Sequence, residues 1–256
     1  MGIKLRLIVM NYLQFFIWGS WLTSLGVYLS NNLHFEGGQI ASIFSTMGIA
    51  AIIMPPLIGI IADRWINVER LLAGCHITGG IILFVLASIT NFSSFFWVIL
   101  LYNMMFMPTL SLANSLAYNS LKLKNLDVVT DFPPIRIWGT IGFISAMWLI
   151  DLFGWTSTYN QLYLAAIVSI IYGLYALTLP KYAPLNTLGK VSFKSFIGLD
   201  ALYLFKNYRM ASFFVFSMLI GAALQITNTF GQPFLSDFVS NPLYHDSFAI
   251  KHPGIL

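Results

Sequence analysis

Arg136, Thr140 and Phe143 stand at i, i+4 and i+7 within the run "TDFPPIRIWGTIGF", Thr130 to Phe143. On an α-helix that spacing sets a guanidinium, a hydroxyl and an aromatic ring on one face. Gly139 and Gly142 beside them permit close approach of a second helix. A second pattern follows downstream. Gly221, Gln225, Asn228 and Gln232 fall at i, i+4, i+7 and i+11 in a segment otherwise built largely from Phe, Leu, Ile and Ala. Gln and Asn carry both donors and acceptors. A stripe of them suits a neutral, hydroxyl- or amide-bearing ligand better than an ion.

The elements that must hold these faces are set by composition. The chain has 256 residues, 58% hydrophobic and 9% charged, with mean hydropathy +0.79. A soluble domain carries about 25% charged residues, so this chain has too few to cover a water-facing surface. It reads as an all-α, polytopic membrane helical bundle in contact with a lipid bilayer. Cys75 is the single cysteine, which excludes a disulfide framework and a cysteine-based metal site. The net charge of +4 would suggest nucleic acid in a soluble protein; here its distribution points to membrane orientation, and no nucleic-acid partner is expected. The basic N-terminus leads into an apolar run too long for a signal-peptide core.

Spans of about 20 apolar residues fit Leu7–Ser30, Gln39–Ala62, Leu71–Thr90, Phe95–Tyr118, Pro134–Leu152, Gln161–Leu179 and Met210–Leu235. An eighth begins at Phe248. Lys4 and Arg6 precede the first span, Arg64 and Arg70 follow the second, and Lys122 and Lys124 follow the fourth. Lys181, Lys190, Lys194, Lys206 and Arg209 fill or border the connector after the sixth. The loops after spans one, three and five hold no Lys or Arg. The positive-inside rule then places the N-terminus in the cytoplasm, the opposite of a seven-helix receptor. Within the connector, "FKSFIGLDALYLFK" fits either an amphipathic surface helix or an ordinary loop helix.

Each polar face has a plainer reading beside the functional one. Arg136 lies within a turn of Pro134, where a long side chain can snorkel to headgroups. The Gln225 stripe can simply bond helices together. Asn11, Gln14, Trp18 and Trp21 on span one, and Ser111, Asn114 and Tyr118 on span four, fit packing singly. Taken together they point to a common cavity. Pro108 is the expected kink of span four. No Asp or Glu falls mid-span; Asp63 and Asp151 sit at span ends, and His76 reads as packing rather than a proton relay. No nucleotide-binding, hydrolase or metal-site motif occurs, so neither an enzyme nor a resident cofactor or metal is expected.

The loop "GIIADRWINVER", with Gly59, Asp63 and Arg64, resembles the cytoplasmic loop signature of the major facilitator superfamily, although "INVER" departs from its usual ending. "FFIWGSWLTSLGVYL", "VTDFPPIRIWGTIGF", "GLDALYLFKN" and "GAALQITNTFG" resemble the bacterial nucleoside:proton symporter family along the whole chain. The resemblance implies a major facilitator type N-terminal six-helix half plus one further span. Residues 1–180 would form the six-helix domain, 181–208 a cytoplasmic connector, and 209–256 the start of a second transmembrane domain. It implies proton-coupled uptake of a nucleoside, such as uridine or adenosine, across the cell inner membrane. It implies that Arg136, Thr140 and Phe143 border the nucleoside and that Gln225 and Asn228 bond it. The family plan has twelve spans, so the sequence reads as an incomplete product that mostly lacks the other wall of the cavity. The alternatives are a sugar or polyol carrier, a non-transporting membrane scaffold and, more weakly, a channel.

Overall fold

The computed structural model describes residues 2–182, 199–236, 238, 247, 248, 252 and 254. Every regular element among them is helical: α1 Ile3–Gly19, α2 Leu25–Asn31, α3 Gly37–Arg64, α4 Val68–Leu86, α5 Phe92–Leu123, α6 Val128–Leu152, α7 Asn160–Ala176 and α8 Tyr208–Ser236, with a 3-10 turn at Leu199–Lys206 before α8. By length and composition α3, α4, α5, α6 and α8 can each cross a membrane. The α7 helix has 17 residues, roughly 25 Å.

The first expected span is broken. The α1 helix ends at Gly19, residues 20–24 form turns, and α2 resumes at Leu25. Ser20 Oγ donates to Phe16 O at 2.8 Å, and the Trp21 and Leu22 amides both bond Trp18 O. A hydroxyl competing for a helical carbonyl loosens the turn it touches. The fifth span also starts differently. Its helix opens at Val128, not Pro134, because Asp127 caps it by accepting from Val129 N at 3.1 Å. Pro133 and Pro134 lie in the second turn, where each lacks the N–H that would reach back one turn. Of the amphipathic stretch, Leu199–Lys206 is the 3-10 turn, with Lys206 Nζ 4.6 Å above the Tyr203 ring. Its first half, and most of the expected eighth span, lie outside the described residues.

Packing is pairwise. The α1 helix lies chiefly on α6, α4 on α7, and α3 on α5. Where α1 crosses α6, a methyl on Gly142 would collide with the Tyr12 carbonyl, so only glycine allows that approach. Trp21, Tyr28, Tyr102, Tyr172, Phe95 and Phe106 fill the interior. Several polar groups there are paired across helices, while Asn103 Oδ1, Ser120 Oγ and Tyr172 OH have no partner among the described residues. Ser24 Oγ donates to Gln161 Oε1 at 2.8 Å, Asn103 Nδ2 to Thr46 Oγ1 at 2.9 Å, and Trp21 Nε1 to Tyr102 OH at 3.1 Å.

The loop ends the sequence reads as basic gather at one pole. Lys4 Nζ lies 2.7 Å from Asp131 Oδ1, and Tyr175 OH donates to Arg6 O at 2.9 Å. Of the loop-signature residues, Arg64 closes α3 at its negative end, Asp63 is exposed, and Gly59 has open space around it. A residue that sequence reasoning passed over holds this pole together. Glu69, in the first turn of α4, is 1% exposed. It accepts from Asn67 Nδ2 at 3.1 Å and from the Tyr182 amide at 3.2 Å. Its carboxylate thus ties the start of α4 to the chain leaving α7. Burial, with the Glu69 charge adding to it, pushes the Tyr182 phenol above its ordinary range.

Candidate functional site

A cavity of about 400 Å³ lies where α1, α6 and α8 face one another. Arg136, Thr140 and Phe143 line it from α6, Gln225 and Asn228 from α8, and Phe15 and Trp18 from α1. The α6 and α8 faces read from spacing therefore meet across one space. The helix origin matters for Arg136. With α6 starting at Val128, the guanidinium is carried roughly 12 Å along the helix from its first residue. Its Cζ sits 3.8 Å from the centroid of Phe15, and among the described residues it pairs with no carboxylate. The ring face holds the cation by its quadrupole and leaves the N–H fork with donors to spare. Gly139 makes this possible, since a methyl there would come within 2.6 Å of Arg136 Nη1 and 2.7 Å of Phe15 Cδ2.

Phe143 is held upright by Trp18, their rings edge to face at 6.4 Å and 87°. The Trp18 indole N–H is buried with no protein partner among the described residues. On α8, Gln225 Nε2 donates along its own helix to Thr229 Oγ1 at 3.1 Å, leaving its carbonyl oxygen without a partner among the described residues. The Asn228 amide has none at all among the described residues. Gly221 completes this wall. The fourth member of the stripe departs from it: Gln232 is buried outside the cavity, beside Gly254. The arrangement offers a cation, unpaired amide groups and an aromatic ring around a half-enclosed space. That can hold a planar polar molecule by stacking and by directed hydrogen bonds.

Of the two other polar faces, only Trp18 reaches this cavity. Gln14 is 1% exposed and bonds Thr109 Oγ1 at 2.9 Å and the His76 ring at 3.0 Å. Asn11 bonds Leu7 O on its own helix, and Trp21 is buried against Tyr102. Ser111 Oγ returns its proton to Pro108 O, and Tyr118 sets its ring edge on Phe132 at 4.7 Å. Phe15, by contrast, was missed; its position one residue after Gln14 gives no polar signal.

Comparison with known proteins matches the model of the nucleoside H+ symporter family over residues 1–256. The chain is 51% identical over 256 residues to the xanthosine permease of Escherichia coli (strain K12) and 48% identical to the nucleoside permease NupG of the same organism. In both cases the match takes in all of this chain and 61% of the relative. Two crystal structures of the nucleoside transporter NupG, one of a mutant, superpose with TM-scores of 0.84 and 0.89 at 48% identity. The chain covers 63% of each.

Proposed function

Because this chain belongs to the nucleoside H+ symporter family, we propose that it takes part in moving nucleosides, with protons, across the cell inner membrane by alternating access. In this reading the cavity between α1, α6 and α8 is a wall of the nucleoside site. The observation that carries it is the meeting of Arg136, Thr140, Phe143, Gln225 and Asn228 around one space, with the Asn228 amide and the Arg136 N–H groups making no hydrogen bond to another side chain among the described residues. A nucleoside brings a planar base to set against Phe143. Its ribose hydroxyls and base carbonyls match the unpaired amides and the guanidinium. The N-terminus is proposed to lie in the cytoplasm, since Lys4, Arg6, Arg64, Arg70, Lys122, Lys124 and Lys181 fall at the ends and loops on one side.

Binding of labelled uridine to the chain in lipid nanodiscs tests the site. Unlabelled uridine or adenosine is expected to displace the label, and simple sugars are not. Arg136→Ala and Gln225→Ala are expected to weaken binding about tenfold or more, as loss of a charged or directed hydrogen bond does, with unchanged helix content. Displacement by sugars would assign a polyol carrier. Unchanged binding with lowered stability would make these residues helix glue.

A further inference from the structure

His76 is the ninth residue of the 19 in α4, close to its midpoint, and it is 1% exposed. The hydrogen-bond network around it joins four helices. Gln14 of α1 donates through Nε2 to Thr109 Oγ1 of α5 at 2.9 Å, and the Thr109 hydroxyl donates to Phe106 O at 2.5 Å. The Gln14 carbonyl oxygen is therefore the atom that meets His76 Nε2 at 3.0 Å, and Nε2 must carry a hydrogen. On the other side Nδ1 lies 3.2 Å from Ser169 Oγ of α7. The same Ser169 Oγ lies 2.9 Å from the His76 carbonyl oxygen.

A serine hydroxyl has one hydrogen and can accept at its lone pairs. With a neutral ring, that hydrogen goes to Nδ1. With a proton on Nδ1, the ring donates to Ser169 Oγ, and the hydroxyl hydrogen turns to the His76 carbonyl. Both states are fully hydrogen-bonded and differ by one hydroxyl rotation. Packing alone requires only one of them. A charge removed from water needs such partners, and the Tyr172 ring supplies a further one, its centroid 4.2 Å from that of His76. Phe106 presents its ring at 6.0 Å and 86°. The facing groups are thus Gln14 from α1, Thr109 and Phe106 from α5, and Ser169 and Tyr172 from α7. Tyr172 is the titratable one among them, and no carboxylate, Lys or Arg among the described residues is hydrogen-bonded to the ring.

The geometry points to His76 as a buried proton-binding site, whose Nδ1 lone pair takes a proton from water while the Ser169 hydroxyl changes from donor to acceptor. The N–H bond formed on Nδ1 is balanced by the O–H bond broken in hydronium, which leaves as water. The site lies close to the cavity wall. Gln14 and Trp18 are one turn apart on α1, and Trp18 meets Phe106 at 6.0 Å and Phe143 at 6.4 Å.

Imidazole nitrogen-15 spectra of the chain in nanodiscs, recorded against pH without nucleoside, test the site; His76→Gln identifies the signals. Both ring nitrogens are expected to be protonated at the acid end of a series run from about pH 3 to 9. A single neutral tautomer throughout that range in the folded chain would overturn the proposal. Ser169→Ala removes the acceptor of the charged form and is expected to lower the midpoint by about one pH unit; an unmoved midpoint would also overturn it. If His76→Gln does not fold, the signals displaced by Ser169→Ala make the assignment. The readout contains no nucleoside, so its failure leaves the nucleoside reading standing, and loss of uridine binding in Arg136→Ala bears on that reading alone.

Discussion

Gln161 in the six-helix bundle and Asn228 on α8 are both amides on apolar helices, and they live in opposite circumstances. Gln161 is fully buried. It donates to Thr156 O and Thr158 O at 3.1 and 3.0 Å and accepts from Ser24. Asn228 has no protein partner among the described residues and faces a cavity. The bundle and α8 differ in the same way as wholes. Helices α1, α4 and α5 bury much of their surface inside the protein, whereas none of the most apolar window of α8 is buried. Gln161 thus completes its hydrogen bonds within the bundle, whereas Asn228 finds none among the described residues.

The largest test of this contrast is Gln161→Ala. It strands the Ser24 hydroxyl and two carbonyls, and is expected to cost about 3 kcal/mol, read as a lowered thermal midpoint in detergent. Gly142→Ala forces a methyl against the Tyr12 carbonyl and is expected to cost about 2 kcal/mol by overpacking, measured the same way. Asn228→Ala should leave stability within about 0.5 kcal/mol while weakening uridine binding about tenfold. A stability loss equal to that of Gln161→Ala, with binding intact, would erase the distinction. Phe15→Leu removes the ring beneath Arg136 and is expected to cost about 1 kcal/mol of ligand affinity, roughly fivefold, with calorimetry as the measurement. The smallest effect is at the mouth of α6. The Val129 amide and the Thr130 hydroxyl hold the exposed Asp127 carboxyl below its ordinary range. Its cap therefore supports α6 above the unfolded pKa and is lost as pH falls through the lowered folded value. Asp127→Asn should abolish that acid dependence in a pH series of thermal midpoints.

Helices, their approximate ends and the basic pole were legible because hydropathy and loop charge act locally along the chain. So were two of the three walls of the cavity, those of α6 and α8, since i, i+4, i+7 spacing fixes a shared face whatever surrounds it. What spacing could not supply was the neighbour opposite. Gln14 and Asn228 sit on equally convincing polar faces; one meets His76 and Thr109, the other open space. The break after Gly19 escaped notice because Ser20, Thr23 and Ser24 are short and the apolar pattern runs on through them. The early start of α6 was hidden by its two prolines, which read as a boundary although Asp127 had already capped the helix. Glu69 looked like a flanking charge, and only the fold brings the Tyr182 amide to it.

The α8 helix meets α2 near one end, where a methyl on Gly26 would come within 3.0 Å of Pro233 Cγ, and from Tyr208 to Met210 and again from Val215 to Leu224 it is uncovered. It is mounted as a lever on a fulcrum. From Pro233 back to Tyr208 the arm is roughly 37 Å, so a tilt of about 10° at the Gly26 contact swings the free end by roughly 6 Å. Gln225 and Asn228 ride close to the pivot and move far less. A tilt about that contact would keep the two amides near the same place.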